Sequence, residues 1–404
     1  MKRRSRFVCS LMRAGVAGCA ALLALPAPLA AQGTAVQVVR IGVLARKPPP
    51  PPTFSFNAVP EDEGFAGARV ALRENQTTGA FTGQRFELEE AALDEDDAPV
   101  AAARKLVEGG AGVIAVNLPA DELLAVADAL KGAPAVLFNI GAPDDRLRGA
   151  DCRANVFHVA PSRAMLADAL AQFLAFKRWR KVFLIVGPQP ADILYADAMR
   201  RSARKFGLTI TADKAWEFGP LAQTKGDSPT RADALVFTRG VDYDVAVVAD
   251  EAGDFGDYVP FRTWDPRPVA GTQGLVPTSW HAAHEYWGAA QLQNRFRRAA
   301  NRPMRAIDYH AWVAVRAIGE TVTRIKDGDA RAVGRFMLGP DFDLAAFKGV
   351  RLSFRSWDLQ LRQPILLAQP AALVSVAPEA GFLHQRTPLD SLGFDEPESA
   401  CRLR

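Results

Sequence analysis

Short unbroken apolar runs alternate with amphipathic stretches along most of this chain, and that alternation predicts its architecture. Val38–Ala45, Val113–Val116 and Ala135–Ile140 are small, β-branched and almost free of charge, as buried strands are. Phe86–Leu93 suits a further strand. Between them, Glu61–Arg73 carries apolar residues at Phe65, Ala68, Val70, Ala71 and Leu72, a helix with acidic residues in its first turn, where the dipole favours them. Asp94–Asp97 opens a second helix that runs to Leu106, and Asp121–Leu130 is a third. Strand and helix at this spacing form right-handed βαβ units and a doubly wound parallel sheet.

A turning point follows at Val156–Val159 and Pro161-Ser162. Ser162 can cap a helix whose apolar stripe is Leu166, Leu170, Phe173 and Leu174. The pattern then repeats: Val182–Val186 as strand, Ala191–Phe206 as helix stopped by Gly207, and Leu208–Ile210 as strand. Ala232–Phe237 is ambiguous, and Val245–Ala249 is the next buried strand. After Trp280 come a helix with Trp287, Leu292 and Phe296, and another from Asp308 to Ile325. Gly349–Phe354, Pro364–Ala368 and Ala372–Val376 have strand character; Asp341–Phe347 is a loop or short turn. From Gly381 onward the chain is polar and is expected to drape over the surface.

The stretch from Asp244 to Trp280 carries the densest chemistry. Its strand stops at Asp250-Glu251, then comes a loop with Gly253, Asp254, Gly256, Asp257, Tyr258, Phe261, Arg262, Trp264 and Arg267, closing on Gly271–Trp280. A buried strand delivering carboxylates, aromatics and arginines into a Gly/Pro-stiffened loop is how α/β proteins build a crevice at strand ends. The same spacing also fits a charged surface loop. The five prolines Pro48–Pro52 force an extended loop after the first strand, either a rigid wall beside Thr53–Phe56 or a spacer.

The first 31 residues change the count of charge and cysteine. Lys2, Arg3, Arg4, Arg6 and Arg13, the apolar run Ala14–Leu25 and the small residues Ala27, Ala30 and Ala31 read as a secretory signal. Val16–Cys19 imitates a lipoprotein box, but most of the apolar run lies beyond the cysteine, which favours cleavage near Ala31. Five of the 49 basic residues lie in this segment, leaving 44 against 45 acidic ones, so the net +4 is an export feature and no nucleic-acid footprint remains. Cys9 and Cys19 leave with the signal, so Cys152 and Cys401 form the one pair available for a disulfide in an oxidising compartment. The remaining chain of about 370 residues exceeds one compact core, so two lobes are expected.

Motifs for catalysis are missing: there is no GxSxG, Walker loop, GxGxxG after the first strand or CxxC, and so no catalytic residue and no cofactor are assigned. His281 and His284, expected on one helix face near Glu285, lack the second histidine at i+4 and the intervening carboxylate of a zinc helix. The acidic run Asp94–Asp97 has no glycine-centred ligand loop, and belongs at a helix start. No metal site is expected, and binding is the leading activity.

Ile41–Leu44, the turn Phe157–Ser162, Val247–Asp250 and the late return of the chain to its first lobe together resemble the type I periplasmic substrate-binding proteins of ABC transporters, the branch holding the branched-chain amino-acid receptors. Ala249–Asp257, Trp264–Pro277 and Leu352–Pro364 are similar to the subgroup found with pyrroloquinoline-quinone-dependent alcohol dehydrogenase systems. The resemblance implies an exported periplasmic monomer that closes two Rossmann-like lobes, joined by a three-crossover hinge, around a small ligand and serves a membrane permease. Residues 36–158 and 280–345 would form lobe 1, 160–277 and 348–378 lobe 2, and 379–404 a tail, with crossovers near Ala160, Thr278 and Phe347. It places the ligand site at Asn117, Asn139 and Gly141 in lobe 1 and at Asp250, Glu251, Trp264, Thr272 and Tyr195 in lobe 2, the last matching loosely an aromatic that relatives carry on the preceding loop. Relatives hold the ligand carboxylate with a serine and threonine pattern that Asn117–Ala120 and Asn139–Ala142 lack, which favours another small polar or aromatic ligand. Phe54 and Trp264 could stack on it, and Arg262 could pair with an anion.

Overall fold

The computed structural model describes residues 36–48, 58–218 and 233–403. The export segment, and the prolines after Pro48 with Thr53 to Phe56, lie outside the described residues. The first sheet is built from β1 (Gln37–Arg46), α1 (Phe65–Thr82), β2 (Gln84–Leu93), α2 (Pro99–Glu108), β3 (Val113–Asn117), α3 (Ala120–Ala129), β4 (Val136–Asn139) and β5 (Val156–His158). Its strands run parallel in the order β2-β1-β3-β4-β5. Alternation along β1 divides its residues between two cores. Val39, Ile41 and Val43 face α1, while Leu44 faces the side covered by Leu106 of α2 and Leu123 and Val126 of α3.

The second sheet takes in α4 (Arg163–Lys177), β6 (Lys181–Val186), α5 (Pro190–Lys205), β7 (Thr209–Ala215), α6 (Ala234–Thr238), β8 (Val245–Ala249) and β9 (Val269–Gly271). These strands are parallel too, ordered β7-β6-β8-β9. Val182, Leu184, Val245 and Val247 pack on Leu170, Phe173 and Met199 of α4 and α5. Phe183, Ile185, Ala246 and Val248 pack on Trp216, Tyr243 and Phe255. The ambiguous segment is a helix, α6, capped by Asp233, whose carboxylate accepts from Leu235 N.

The last third returns to the first sheet. Following β10 (Val276–Thr278), helices α7 (Ala289–Ala300), α8 (Ala306–Ile325) and α9 (Ala330–Met337) add Phe296, Trp312, Val315, Ile318 and Val333 to the core shared with α1. Three strands follow as β11 (Leu344–Ala345), β12 (Arg351–Phe354) and β13 (Leu361–Arg362), then β14 (Ile365–Gln369) and β15 (Ala372–Ala377). β14 pairs antiparallel with β10 and β15 beside α4.

Several expectations need correction. The third crossing does not fall at Phe347: Leu352, Phe354, Leu359 and Leu361 are in the first sheet's core, with Phe354 edge-on to Phe157 at 5.0 Å, and the chain leaves only beyond Leu361. His281 and His284 share no helix, because left-handed backbone at Trp287 (φ 54°) and Gly288 (φ 85°) delays α7 to Ala289. His284 Nε2 instead lies 2.8 Å from Phe347 O. Nor does the tail drape loosely, for Asp390 and Leu392 are fully buried.

Candidate functional site

Parallel pairing brings the carboxyl ends of β1, β3, β4 and β5 to one edge of the first sheet. Asn117 lies opposite Ala45, and Asn139 opposite Val116 and His158. Asn139 is fully buried and wholly engaged in shaping its own turn. Its Oδ1 accepts from Gly141 N (3.2 Å) and Ala142 N (2.9 Å), while Nδ2 donates to Ala142 O (2.8 Å) and to Nδ1 of His158 (3.1 Å). That last bond puts the proton of a neutral His158 on Nε2, which makes no hydrogen bond. Burial drives the His158 pKa well down. Asn117 differs: it is half-buried, and its carboxamide makes no hydrogen bond to the described residues. Its Oδ1 lies 2.0 Å from where a Cβ on Gly141 would stand, so a side chain there would have to push the carboxamide aside.

At the second sheet, the strand ends face a different demand. Asp250 is buried, and its carboxylate accepts from the backbone N–H groups of Asp254 (2.9 Å), Phe255 (3.0 Å) and Gly256 (2.6 Å). It caps the loop it opens. Thr272 Oγ1 accepts from Asp250 N at 2.9 Å and sits 3.1 Å from Val248 O, which clips β8 to the loop after β9. Glu251 is paired. Arg163 donates to it through Nε (3.0 Å) and Nη2 (2.6 Å), and Nη1 of the same guanidinium lies 3.2 Å from Asp144 Oδ2. Burial raises the pKa of Glu251, with Arg163 opposing it; in Arg163 burial is the largest single influence and lowers the pKa, but the hydrogen bonds and charges of Glu251 and Asp144 together raise it. Asp192, at the start of α5, accepts from Gln189 N and Ala252 N and so ties that helix to the same loop; burial raises its pKa.

Two further expected site residues are held by packing. Tyr195 is on α5, inside the helix expected from Ala191 to Phe206. Its side chain packs in the sheet's core, and its hydroxyl, in the field of Glu251, makes no hydrogen bond and has a raised pKa because it is buried. Trp264 is half-exposed beside α6, its amide donating to Thr238 Oγ1 (2.8 Å) and its ring under the Arg239 guanidinium at 4.6 Å. Arg262 is paired with Asp233 through two bonds of 2.6 and 2.5 Å. Phe54 lies outside the described residues.

The segments passing between the sheets are cross-bonded where they meet. Buried Arg148 donates to Gln360 Oε1, Ala142 O, Asp144 O and Ala160 O, and burial lowers its pKa to about 10. Gln363 donates to Val159 O at 2.7 Å. His310 Nδ1 faces Ile140 O at 2.8 Å and must donate, so Nε2 accepts from Ser279 Oγ at 2.6 Å; burial pulls this pKa to about 4. Arg163, Asp144, Asp192, Arg148 and His310 escaped sequence reasoning. Only Arg163 had a readable signal: a cation in the first turn of a helix opposes the dipole and needs a carboxylate partner. Hollows of about 310 Å³ between α1 and α7 and about 330 Å³ beside α9 are lined by none of the strand-end residues above. No group of three potential metal ligands occurs among the described residues, nor is any helix there long and apolar enough to cross a membrane.

Two doubly wound lobes with their strand ends meeting at a multi-segment crossing define the type I binding-protein fold. The family model for periplasmic binding proteins matches residues 38–372, and the chain belongs to that family. Among solved structures, a branched-chain amino acid ABC transporter periplasmic ligand-binding protein from Burkholderia xenovorans is similar at 16% identity, covering 90% of this chain and 99% of its own, with a TM-score of 0.69. A branched-chain amino acid transporter substrate-binding protein from Streptococcus pneumoniae, in complex with isoleucine, matches at 16% identity over 84% and 99%, TM-score 0.62. A solute-binding protein from R. palustris, in complex with benzoate, matches at 13% over 91% and 100%, TM-score 0.62. At these identities the likeness carries the fold alone. Comparison with curated proteins gives no match.

Proposed function

We propose that this protein is an exported, periplasmic solute receptor of an ABC uptake system, binding a small organic ligand between its lobes by hinge closure and without covalent chemistry. Asn117 and the Gly141 turn would line the cleft from the first lobe, Glu251 with Arg163 from the second. Supporting structures of this fold carry isoleucine in one case and benzoate in another, so the scaffold does not fix the ligand and the side chains must. The observation that carries the choice is the Arg163–Glu251 pair. A ligand ammonium would have to displace a guanidinium already bonded through two nitrogens, which favours a polar or aromatic molecule without an α-amino group. A link to quinone-dependent alcohol oxidation rests on the three sequence stretches named above. On that same link rests a second reading, a periplasmic sensor or accessory binding protein beside such a dehydrogenase.

Thermal-shift screening of the mature protein against alcohols, organic acids, amino acids, quinones and lanthanides tests binding directly. A ligand at a hundredfold excess over Kd stabilises the fold by about 2.7 kcal/mol. An aromatic or aliphatic acid should shift the transition and leucine should not. A flat response across the panel would sink the receptor reading, and a shift with amino acids alone would overturn the ligand class. Loss of uptake of the identified ligand on deleting the gene separates transport from sensing.

A further inference from the structure

The chain after β15 is anchored on the second lobe and at the third crossing, and ends covalently in the first lobe. Its first anchor is on α4 and α5. Gln172 takes Glu379 N (3.1 Å) and reaches Ser391 Oγ (2.9 Å), and Lys205 donates to the carbonyls of Ser391 and Gly393 at 3.0 Å each. Asp168, fully buried, accepts from Gly393 N at 2.8 Å, and Arg201 lies 4.1 Å over the Phe394 ring while also bonding Gly393 O and Glu398. A second anchor is buried Asp390, which takes Arg355 and Arg362, each at 2.8 Å, next to the third crossing. The end is Cys401, joined to Cys152 with a Cα–Cα distance of 5.6 Å. Cys152 belongs to the first lobe: its neighbour Arg153 is paired with Asp128 of α3, and Asp151 with Arg146.

We infer that residues 379–401 form a covalent strap across the two lobes that limits how far they part when the ligand leaves. The inference rests on the hinge-closure reading. Seven residues beyond Phe394 reach about 25 Å at full extension. The turn at Glu396–Glu398 and the Arg201–Glu398 bond hold the segment short of that. A disulfide that closed a loop within one lobe would only stabilise that lobe. This one closes 249 residues of chain and joins parts that must separate. Opening beyond the slack requires either reduction of the bond or release of the segment from Asp168, Arg201 and Lys205 together. Both cysteines are buried, which shields the bond from thiols in solution.

The test is the interlobe distance in the ligand-free mature protein, read by pulsed electron resonance. Labels are attached through azidophenylalanine at the exposed positions Phe81 on α1 and Arg204 on α5. Three proteins are compared: the oxidised protein, Cys152→Ser/Cys401→Ser, and an insertion of eight Gly/Ser residues between Glu398 and Ser399 with the disulfide verified by mass. The oxidised protein should give the shorter, narrower distribution, and both variants a longer, broader one. The insertion variant keeps the cross-link, so a merely stabilising disulfide would leave it unchanged. Identical broad distributions in all three would show that the lobes move freely and overturn the strap. Identical narrow ones, unaltered by any ligand from the thermal screen, would overturn the strap and the hinge reading together.

Discussion

The strand-end loops of the two lobes occupy equivalent places and meet the same demand with different chemistry. In the first lobe, Asn139 binds its own turn, and the neighbouring Asn117 is left with a free carboxamide over a glycine. In the second, Asp250 binds the turn that follows it and Glu251 is taken by a guanidinium. Each loop must first satisfy its own buried N–H groups, and the residue right at the strand end is the one that does so. The first lobe does this with a neutral amide backed by histidines, the second with carboxylates. A position after a strand therefore marks where recognition could sit, but the local hydrogen-bond demand decides which residue is free for it.

The largest effect should come from Asp250→Ala. It orphans the amides of Asp254, Phe255 and Gly256, each worth about 1–3 kcal/mol when buried, for a loss of about 4 kcal/mol in urea unfolding. A loss below about 1 kcal/mol would mean the carboxylate is free for a ligand after all and would erase the contrast between the loops.

Acid should strike the first-lobe loop through its histidines. His310, with a folded pKa of about 4 against about 6.5 unfolded, is held neutral, so the unfolded chain binds more protons between those values. Stability is therefore full above about pH 6.5 and falls as pH drops toward 4, by about 2.5 kcal/mol at pH 4.5 from this group. His158 shifts in the same direction. His310→Gln should flatten the slope between pH 6.5 and 4.5, and a slope equal to the parent's would remove the imidazole from the loop's support. Arg163→Met should cost about 2 kcal/mol by leaving Asp144 and Glu251 together without a cation, and adding Glu251→Gln should recover part of it. It should also admit amine ligands that the parent refuses, readable in the same thermal screen.

How much of this could be read from sequence follows the same division. Both parallel sheets were legible, because runs such as Val245–Ala249 are apolar on both faces and can be nothing exposed. The cap at Ser162 was legible as well, its Oγ accepting from Met165 N. Boundaries that depend on partners were not. Leu352–Leu361 carries apolar residues that fit either lobe, and only packing against Phe157 and Phe342 assigns them to the first. The helix carrying Tyr195 was legible, but the burial of that ring in the sheet's core was not. The polar tail hides Asp390 and Gly393 because the groups that bury them, Arg355 and Asp168, lie far off in the chain.

The smallest stability effect, and the sharpest test of the contrast, should be Asn117→Ala. Its carboxamide has no hydrogen bond to lose, so unfolding should change by less than about 0.5 kcal/mol. Affinity for the ligand found by screening should fall about tenfold, the worth of one hydrogen bond of about 1.4 kcal/mol. Gly141→Ala reaches the same end by another route, since its Cβ would stand 2.0 Å from Asn117 Oδ1 and must push the carboxamide aside. If Asn117 is the group presented to the ligand, the two changes act on one contact, and the double variant should lose no more affinity than the worse single one. Additive losses would mean that Gly141 serves the ligand through its own backbone and that Asn117 is a bystander. The free amide of the first lobe would then be a surface residue, no different in role from the paired Arg262 of the second.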